Sequence, residues 1–135
     1  MQYVTRKISV AVACIANKVK NPPLNELSEP IITEDWKLHL GNLNAYRDWG
    51  YSKDYVRAMP LILRRDVPED FVIATNETYA VGEFVERAFI RSGLNWQDHV
   101  VINQALVRPL ETGPLMGNPA KARKELDWYP KIKFE

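Results

Sequence analysis

The sequence has 135 residues, of which 46% are hydrophobic and 26% charged, with 18 basic and 17 acidic side chains. A formal net charge of +1 excludes the broad positive surface of a nucleic-acid-binding protein. No apolar run reaches the roughly 20 residues of a membrane helix, and the N-terminus lacks the pattern of a signal peptide. We therefore expect a cytoplasmic protein that forms one globular domain.

The residue patterns that mark common catalytic sites are missing from this sequence. The single cysteine, Cys14, lies in a segment of helical apolar periodicity, which predicts a buried structural thiol. With His39 and His99 as the only histidines, no ligand set has zinc spacing. The six glycines form neither GxGxxG nor GxxxxGK[ST], and no serine lies in a GxSxG turn. The residues alone predict no metal site and no catalytic set.

The first third of the chain predicts a helix, a loop and a short strand. Apolar residues recur at helical spacing from Val4 to about Lys18, which predicts an amphipathic helix. The stretch 21–35 carries three prolines and four carboxylates, so we predict a solvated loop and interpret residues 20–36 as an insertion. Leu38 and Leu40 alternate with polar residues, which predicts a strand with one solvated face.

The middle of the chain predicts a second helix and a second strand. Ser52 is expected to cap a helix through about Arg65, with Pro60 inside it. The inner, core-facing stripe of this helix is predicted to be Val56, Met59 and Leu63. Residues 71–74 are continuously apolar, which predicts a strand covered on both faces.

The last part of the chain predicts a further helix, strand and helix. Apolar residues at helical spacing from Val81 onward end at Gly93, a typical glycine C-cap. Residues 100–102 predict another buried strand, and a short helix is expected to follow Asn118 and Pro119 through about Leu126. This alternation predicts an α/β fold in which short, mostly parallel strands alternate with helices.

Seven blocks of the sequence occur in an order that is typical of one family. They are residues 4–8 (VTRKI), 40–50 (LGNLNAYRDWG), 53–59 (KDYVRAM), 70–75 (DFVIAT), 83–86 (EFVE), 108–111 (RPLE) and 117–130 (GNPAKARKELDWYP). Together they resemble the C-terminal part of the GDP-mannose 4,6-dehydratases, which are extended short-chain dehydrogenase/reductases. The resemblance covers most of the chain except residues 17 to about 36.

This resemblance implies a partial extended short-chain dehydrogenase/reductase C-terminal region. Enzymes of that family use NADP to oxidise, dehydrate and re-reduce the mannose of GDP-mannose. Their glycine-rich dinucleotide domain and their catalytic residues come from the first half of the enzyme. We therefore expect residues 1–135 to be a single truncated domain that holds no catalytic residue and no cofactor of its own.

By resemblance, four residues match those that line the nucleotide-sugar pocket of the family: Lys7, Arg47, Arg108 and Glu111. Guanidinium groups can bind a pyrophosphate bidentately, and an ammonium adds a point charge. A carboxylate can accept hydrogen bonds from two ribose hydroxyl groups. On residue types alone, the Arg47-Asp48 pair and the Arg108–Glu111 pair are equally compatible with weak surface ion pairs.

Two hypotheses about function remain open from the sequence. In the first, the chain is a nucleotide-sugar-binding module for GDP-mannose or GDP that resembles a lyase but is inactive alone. In the second, it is a protein-interaction module, because the face that a dinucleotide domain would cover is apolar. Such a module would form a homo-oligomer or complement a separate dinucleotide-binding domain.

Overall fold

The computed structural model describes residues 3–25, 28–107 and 113–134 of the chain. The chain falls into two compact units, which we call unit 1 (Met1–Ala45 with Ala80–Glu111) and unit 2 (Tyr46–Tyr79 with Thr112–Glu135). The elements are, in chain order, α1 (Val4–Ala16), β1 (Leu38–Leu40), β2 (Tyr46–Arg47), α2 (Ser52–Leu63), β3 (Tyr79–Ala80), α3 (Val81–Ile90), β4 (Val100–Ile102) and α4 (Ala120–Leu126), with 3-10 turns at Trp96–Asp98 and Gln104–Leu106.

Two helices that pack together form the core of unit 1. Helix α1 buries an apolar stripe that includes Ile8 and Ala11, and α3 buries Val85 and Phe89. Cys14 is buried among these residues, as predicted. Two further predictions, the helix from Val4 and the helix from Val81, are confirmed. In both helices, the apolar residues that recur every 3.6 positions lie on a face that other residues of this chain cover.

Helix α3 ends as its sequence predicts. Gly93 has a φ of +68°, a left-handed conformation that glycine adopts without steric cost. The Leu94 amide then donates to the carbonyl oxygen of Phe89 at 3.0 Å, which satisfies a carbonyl at the helix end. At the other end, the Ala80 amide donates to Glu83 Oε2 at 2.7 Å.

Strands β1 and β4 form a parallel pair in unit 1, with Leu38 opposite Val100. The predicted α/β fold with parallel strands is confirmed. Leu38 and Leu40 are buried. Residues 100–102 form a strand, but the prediction that they are buried is wrong, because Val101 and Ile102 are 38% and 45% exposed. In the described part of the chain, β4 pairs with β1 alone, so its other edge is uncovered.

The described residues of the segment 20–36 form a loop that is anchored in unit 1. Ile31 and Ile32 are 3% and 2% exposed, so the predicted solvated loop is wrong at these two residues. The loop folds back on itself through an antiparallel bridge between Leu24 and Pro30. The proline and acidic content of the segment correctly predicted its exposed residues. It gave no sign of the two isoleucines, Ile31 and Ile32, that hold the loop on the core.

Helices α2 and α4 pack together in unit 2. Their buried cluster consists of Ala58, Ala122, Leu126 and Trp128. The predicted helix over 52–65 is confirmed in its existence, and it ends at Leu63 with Pro60 inside. Ser52 is its first helical residue rather than its cap.

The predicted inner stripe of α2 is wrong. The buried residues of this helix are Asp54 and Ala58, whereas Val56, Met59 and Leu63 are 56%, 58% and 83% exposed. The apolar spacing identified the helix correctly. The face that α4 covers carries Ala58 with the partly buried Tyr55, Leu61 and Ile62 around it. These residues also recur at helical spacing, so the prediction chose the wrong one of two apolar stripes.

The prediction of a strand at residues 71–74 is also wrong. These residues form no strand and pair with none of the residues that the structure describes. Phe71 and Ile73 pack against the core cluster of unit 2, whereas Val72 is 54% exposed. Ala74 is buried as well, so packing within unit 2 rather than pairing in a sheet explains the apolar run.

Candidate functional site

Unit 1 contains a cavity of about 1250 Å³. Its walls come from α1, from the loop 19–36, from β1 and from the turn that follows β4. This volume exceeds the roughly 300–1,000 Å³ of most small-molecule pockets, so it can hold a ligand of considerable size. The polar lining residues that matter for its chemistry are Lys7, Lys20, Asn21, Asn25, Lys37 and Asn103.

The turn after β4 forms one wall because it closes onto the end of β1. The Asn103 amide donates to the carbonyl oxygen of Leu40 at 2.8 Å. Gly41 lies so close to the backbone of Leu106 that a Cβ at this glycine would overlap the Leu106 carbonyl oxygen. Only glycine permits that approach. The carboxyl ends of parallel strands are the usual ligand-binding edge in α/β proteins, and Asn103 and Leu106 line the cavity at such an end.

Lys7 is held in the cavity wall by both its backbone and its side chain. It lies in the first turn of α1, where its amide donates to the Tyr3 carbonyl oxygen at 2.9 Å. Its side chain reaches β1, and Nζ donates to the His39 carbonyl oxygen at 3.0 Å. The structure thus places this predicted substrate-binding residue in the wall of a cavity.

The described lining residues of the cavity carry a small excess of positive charge. Three lysines, Lys7, Lys20 and Lys37, line it together with two glutamates, Glu29 and Glu34. Lys37 is oriented by a hydrogen bond from Nζ to the Asp98 carbonyl oxygen at 2.6 Å. An excess of ammonium groups around a concave surface favours an anionic ligand over a cationic one.

Trp36 lines the cavity in an unusual backbone conformation. Its φ is +62°, in the left-handed region that bulky residues rarely adopt. Its amide donates to the Thr33 carbonyl oxygen at 3.0 Å, and its own carbonyl oxygen accepts from Nδ1 of His99 at 3.0 Å. The His99 ring in turn stacks on the buried Phe89 ring, with 5.9 Å between centroids. The core of unit 1 therefore fixes the position of Trp36.

In unit 2, the Asp48 carboxylate joins three separate parts of the chain. It accepts hydrogen bonds from the Thr75 amide at 2.9 Å, from the Thr75 hydroxyl at 2.6 Å, and from the amides of Asn76 and Gly117, both at 3.1 Å. A Cβ at Gly117 would overlap the Ala74 side chain, so this segment packs closely. Asp48 is therefore a structural centre of unit 2.

Arg47 directly precedes this carboxylate in β2. Its Nη1 donates to the Tyr46 carbonyl oxygen at 2.7 Å. The hydrogen bonds of Asp48 fix the backbone beside Arg47. A surface ion pair with Arg47 does not by itself account for the contacts of Asp48. The Asp48 carboxylate accepts hydrogen bonds from backbone amides and from a hydroxyl group of unit 2.

Asp54 fixes the end of the described chain. Its carboxylate accepts from the amides of Lys131 and Ile132 at 2.7 and 2.9 Å and pairs with Arg57 at 2.9 Å. The Ile132 amide, then the Lys131 amide and the Arg57 charge, lower the pKa of this carboxyl, against the opposing effect of burial. Trp128 Nε1 also donates to the Asp54 carbonyl oxygen at 2.8 Å. These contacts indicate a structural role for Asp54.

The chain matches the family described as GDP-mannose 4,6 dehydratase over residues 1–135. It belongs to the GDP-mannose 4,6-dehydratase family. The chain is 41% identical to the GDP-mannose 4,6 dehydratase of Dictyostelium discoideum, over 98% of this chain and 38% of that relative. It is 39% identical to the Homo sapiens enzyme over 98% of this chain and 36% of that relative. The resemblance found in the sequence is confirmed, and the chain spans about a third of the length of these curated relatives.

Solved structures agree with the family in fold. RMD from Pseudomonas aeruginosa complexed with NADPH superimposes with a TM-score of 0.76 at 14% identity, over 97% of this chain and 38% of that chain. The dTDP-glucose 4,6-dehydratase of Bacillus anthracis in complex with NAD has a TM-score of 0.69 at 24% identity, over 99% and 37% of the two chains. These similarities show the fold, and they confirm the α/β fold predicted for this dehydratase-family chain.

The described residues of this family member do not fit a dinucleotide such as NADP. A pyrophosphate needs glycines whose open side faces the ligand at the start of a helix. Gly41, Gly50 and Gly117 are closely approached, but the approaching atoms belong to Leu106, Tyr55 and Ala74, respectively.

The parts of the chain that the structure describes contain neither a metal-ligand cluster nor a membrane-spanning helix. There, no three His, Cys, Asp or Glu side chains come together as a metal site. No helix within 3–25, 28–107 or 113–134 has the length and apolar composition required to cross a membrane.

The four predicted substrate-binding residues of this dehydratase-family chain have different outcomes. Lys7 lies in the cavity wall of unit 1, and Arg47 lies in unit 2 beside Asp48. Arg108 and Glu111 lie outside the described residues. Contact of all four with a ligand stays a prediction.

Sequence reasoning did not find two cavity residues. Asn103 directly follows a predicted strand, and a polar residue at the carboxyl end of a parallel strand is a signal that could have identified it. Trp36 lies at the end of the segment interpreted as an insertion. Its place in the wall depends on how the loop folds, which no local pattern indicates.

Proposed function

We propose that these residues form the nucleotide-sugar-binding part of a GDP-mannose 4,6-dehydratase, and that GDP-mannose or GDP binds in the cavity of unit 1. One observation carries this proposal: Lys7, which matches a pocket-lining residue of the family, lies in the wall of a cavity of about 1250 Å³. The excess of lysine over glutamate in that wall suits a diphosphate.

The proposed binding chemistry uses charge-assisted hydrogen bonds. The Lys7 ammonium contributes a point charge beside β1, where the His39 carbonyl oxygen orients it. By resemblance to the family, the Arg108 guanidinium grips the pyrophosphate and Glu111 accepts from the ribose hydroxyls. Ligand contact by Arg47, which lies in unit 2 and is not a lining residue of this cavity, stays a separate prediction. Binding is the whole of this proposed activity, because oxidation of the sugar requires a hydride acceptor and the described residues offer no dinucleotide cradle.

Calorimetry with the intact 135-residue chain tests the proposal. We expect saturable binding of GDP-mannose and GDP with dissociation constants in the micromolar to millimolar range. Lys7→Gln should weaken binding about tenfold or more, because a hydrogen bond to a charged group contributes about 1.5–3 kcal/mol. Lys18→Gln is the matched control, since Lys18 is exposed and does not line the cavity.

Two results would contradict this function. One is the absence of binding heat from either ligand at millimolar concentration. The other is an equal loss of affinity in the Lys7 and Lys18 variants, which would mean that general charge rather than the cavity attracts the ligand.

A second candidate function is supported by the exposed apolar surface of unit 2. Val56, Met59 and Leu63 leave an apolar stripe of α2 in solvent, and Val72 of the same unit is 54% exposed. Exposed apolar patches commonly mark protein interfaces. We propose that unit 2 associates with a second copy of the chain or with a separate dinucleotide-binding domain.

Light scattering tests this second function. The chain should form an oligomer, or should shift in mass when the separately produced dinucleotide-binding half of a family relative is added. Met59→Ser with Leu63→Ser should weaken the association, whereas the matched change of exposed Tyr3 to Ser in unit 1 should not. A chain that is strictly monomeric both alone and with the added half would refute it.

A further inference from the structure

The wall of the unit 1 cavity is formed mainly by residues 19–36. This segment lies between the blocks at 4–8 and 40–50 that resemble the family, so the resemblance assigns no role to it. We propose that the described residues of this segment, 19–25 and 28–36, are the nucleoside-recognising wall of the cavity and that the Trp36 indole stacks on the base of a nucleoside diphosphate. This inference rests on the proposed nucleotide-sugar function and adds to it the residues that recognise the nucleoside.

The segment is folded firmly enough to act as a wall. The Ile31 amide donates to the Pro23 carbonyl oxygen at 2.9 Å, and the Asn25 amide donates to the Glu29 carbonyl oxygen at 2.7 Å. The Glu29 amide returns a hydrogen bond to Asn25 Oδ1 at 3.1 Å. With Ile31 and Ile32 buried, these contacts shape the wall before a ligand arrives, which reduces the entropy lost on binding.

Trp36 is the residue on this wall that the fold constrains most strongly. A left-handed backbone at a bulky aromatic residue costs free energy, and such conformations concentrate at functional sites. Hydrogen bonds from the Trp36 amide to Thr33 and from His99 to the Trp36 carbonyl oxygen maintain it.

The chemistry of the wall matches a nucleoside diphosphate. An indole offers a flat apolar surface on which any base can stack. Asn21 carries both donors and an acceptor, as the edge of a base requires. On the β1 side, the ammonium groups of Lys7 and Lys37 favour phosphates. The two sides of the cavity therefore suit the two ends of one such ligand.

Calorimetry with Trp36→Leu and Trp36→Phe in the intact chain tests the inference. Base stacking on an aromatic side chain contributes enough that Trp36→Leu should weaken GDP-mannose binding about tenfold or more. Trp36→Phe keeps an aromatic face and should retain most of the affinity. Binding of inorganic pyrophosphate, which has no base, should be equal in all three proteins.

Trp96→Leu is the matched control. Trp96 is also half-buried in unit 1, but it lies in a 3-10 turn and does not line the cavity. Its variant should bind both ligands as the wild type does. Fluorescence gives a second readout: GDP should quench the wild-type chain and Trp96→Phe, and it should quench Trp36→Phe much less.

The outcomes separate this inference from the proposed function. If the wild-type chain binds GDP-mannose and Trp36→Leu binds it equally well, the inference is wrong and the proposed function stands. If Trp36→Leu loses pyrophosphate binding to the same extent as GDP-mannose binding, Trp36 supports the cavity without recognising the base, and the inference is again wrong. If the wild-type chain binds neither ligand, both fail. Should Trp36→Leu not fold, undiminished GDP quenching in Trp36→Phe would overturn the inference.

Discussion

The two units of this chain use their polar residues in opposite ways. In unit 1, lysine and asparagine side chains line a cavity, and the neighbouring backbone orients Lys7 and Lys37. In unit 2, Asp48 and Asp54 accept hydrogen bonds from the backbone of their own unit. Unit 2 leaves apolar rather than polar side chains in solvent along α2.

This difference separates a proposed ligand-binding unit from a proposed protein-docking unit within one family fold. A carboxylate whose lone pairs are occupied by backbone amides cannot also bind a ligand, so Asp48 and Asp54 are structural. The cavity side chains of unit 1 line a space that the protein does not fill. Unit 1 therefore suits a small anionic ligand, and unit 2 suits a protein surface.

The largest expected effect comes from removing the core of either unit. Trp128 is 2% exposed and Phe89 is fully buried, so Trp128→Ala and Phe89→Ala should each lower the free energy of unfolding by about 3–5 kcal/mol. Urea unfolding followed by circular dichroism measures this. The half-buried Trp96 is the control, and Trp96→Ala should cost clearly less. An equal cost for Trp96 and Trp128 would mean that the cluster around Trp128 is not the core of unit 2.

A smaller effect is expected from the carboxylate centre of unit 2. Asp48→Asn replaces an oxygen with an NH₂ group, which cannot accept, so at least one amide of Thr75, Asn76 or Gly117 loses its partner. The free energy of unfolding should fall by about 1–3 kcal/mol. The exposed Asp66→Asn is the matched control and should be near neutral. Equal stability of the two variants in urea would refute the structural role of Asp48.

The acid stability of the chain should depend on Asp54. Hydrogen bonds from the Ile132 amide first, then the Lys131 amide, and the Arg57 charge hold the pKa of Asp54 below its usual range in the folded state. The resulting stabilisation is present above the unfolded pKa of about 3.9 and is lost as pH falls through the folded pKa. Urea midpoints should therefore fall more steeply from about pH 5 downward in the wild type than in Asp54→Asn. Parallel curves would contradict this account.

The smallest effect concerns the one thiol of the chain. Burial raises the pKa of the Cys14 thiol, so less thiolate is present at neutral pH than in an unfolded chain. The native protein should react with a disulfide reagent much more slowly than the protein in urea does, and its rate should rise with pH. A native rate equal to the unfolded rate would show that α1 does not shield Cys14.

The sequence predicted those parts of the fold that this chain covers by itself. Helices α1 and α3 were found because their apolar stripes face each other within unit 1. Residues 71–74 and the stripe of α2 were assigned wrongly, because an apolar pattern shows that a surface tends to be covered and not what covers it. In unit 2, α4 covers the other face of α2, and in unit 1 the same limit left residues 100–102 wrongly predicted as buried.

The candidate site was predicted less completely than the fold. Lys7 came from the family resemblance, and the structure places it in a cavity wall. Trp36 could not be predicted, because its position depends on a left-handed backbone and on His99, which lies 63 residues away. Proline and acidic composition likewise gave no sign that Ile31 and Ile32 anchor the segment to the core.

An NMR titration of the ¹⁵N-labelled chain with GDP-mannose tests the central claim most directly, because it reports where the ligand binds. The account predicts saturable amide shifts concentrated in the cavity wall, at residues 19–25, 28–37 and 103–106, together with a shift of the Trp36 indole N–H. Saturable shifts that leave these residues unchanged, or a spectrum unaltered at millimolar ligand, would contradict it.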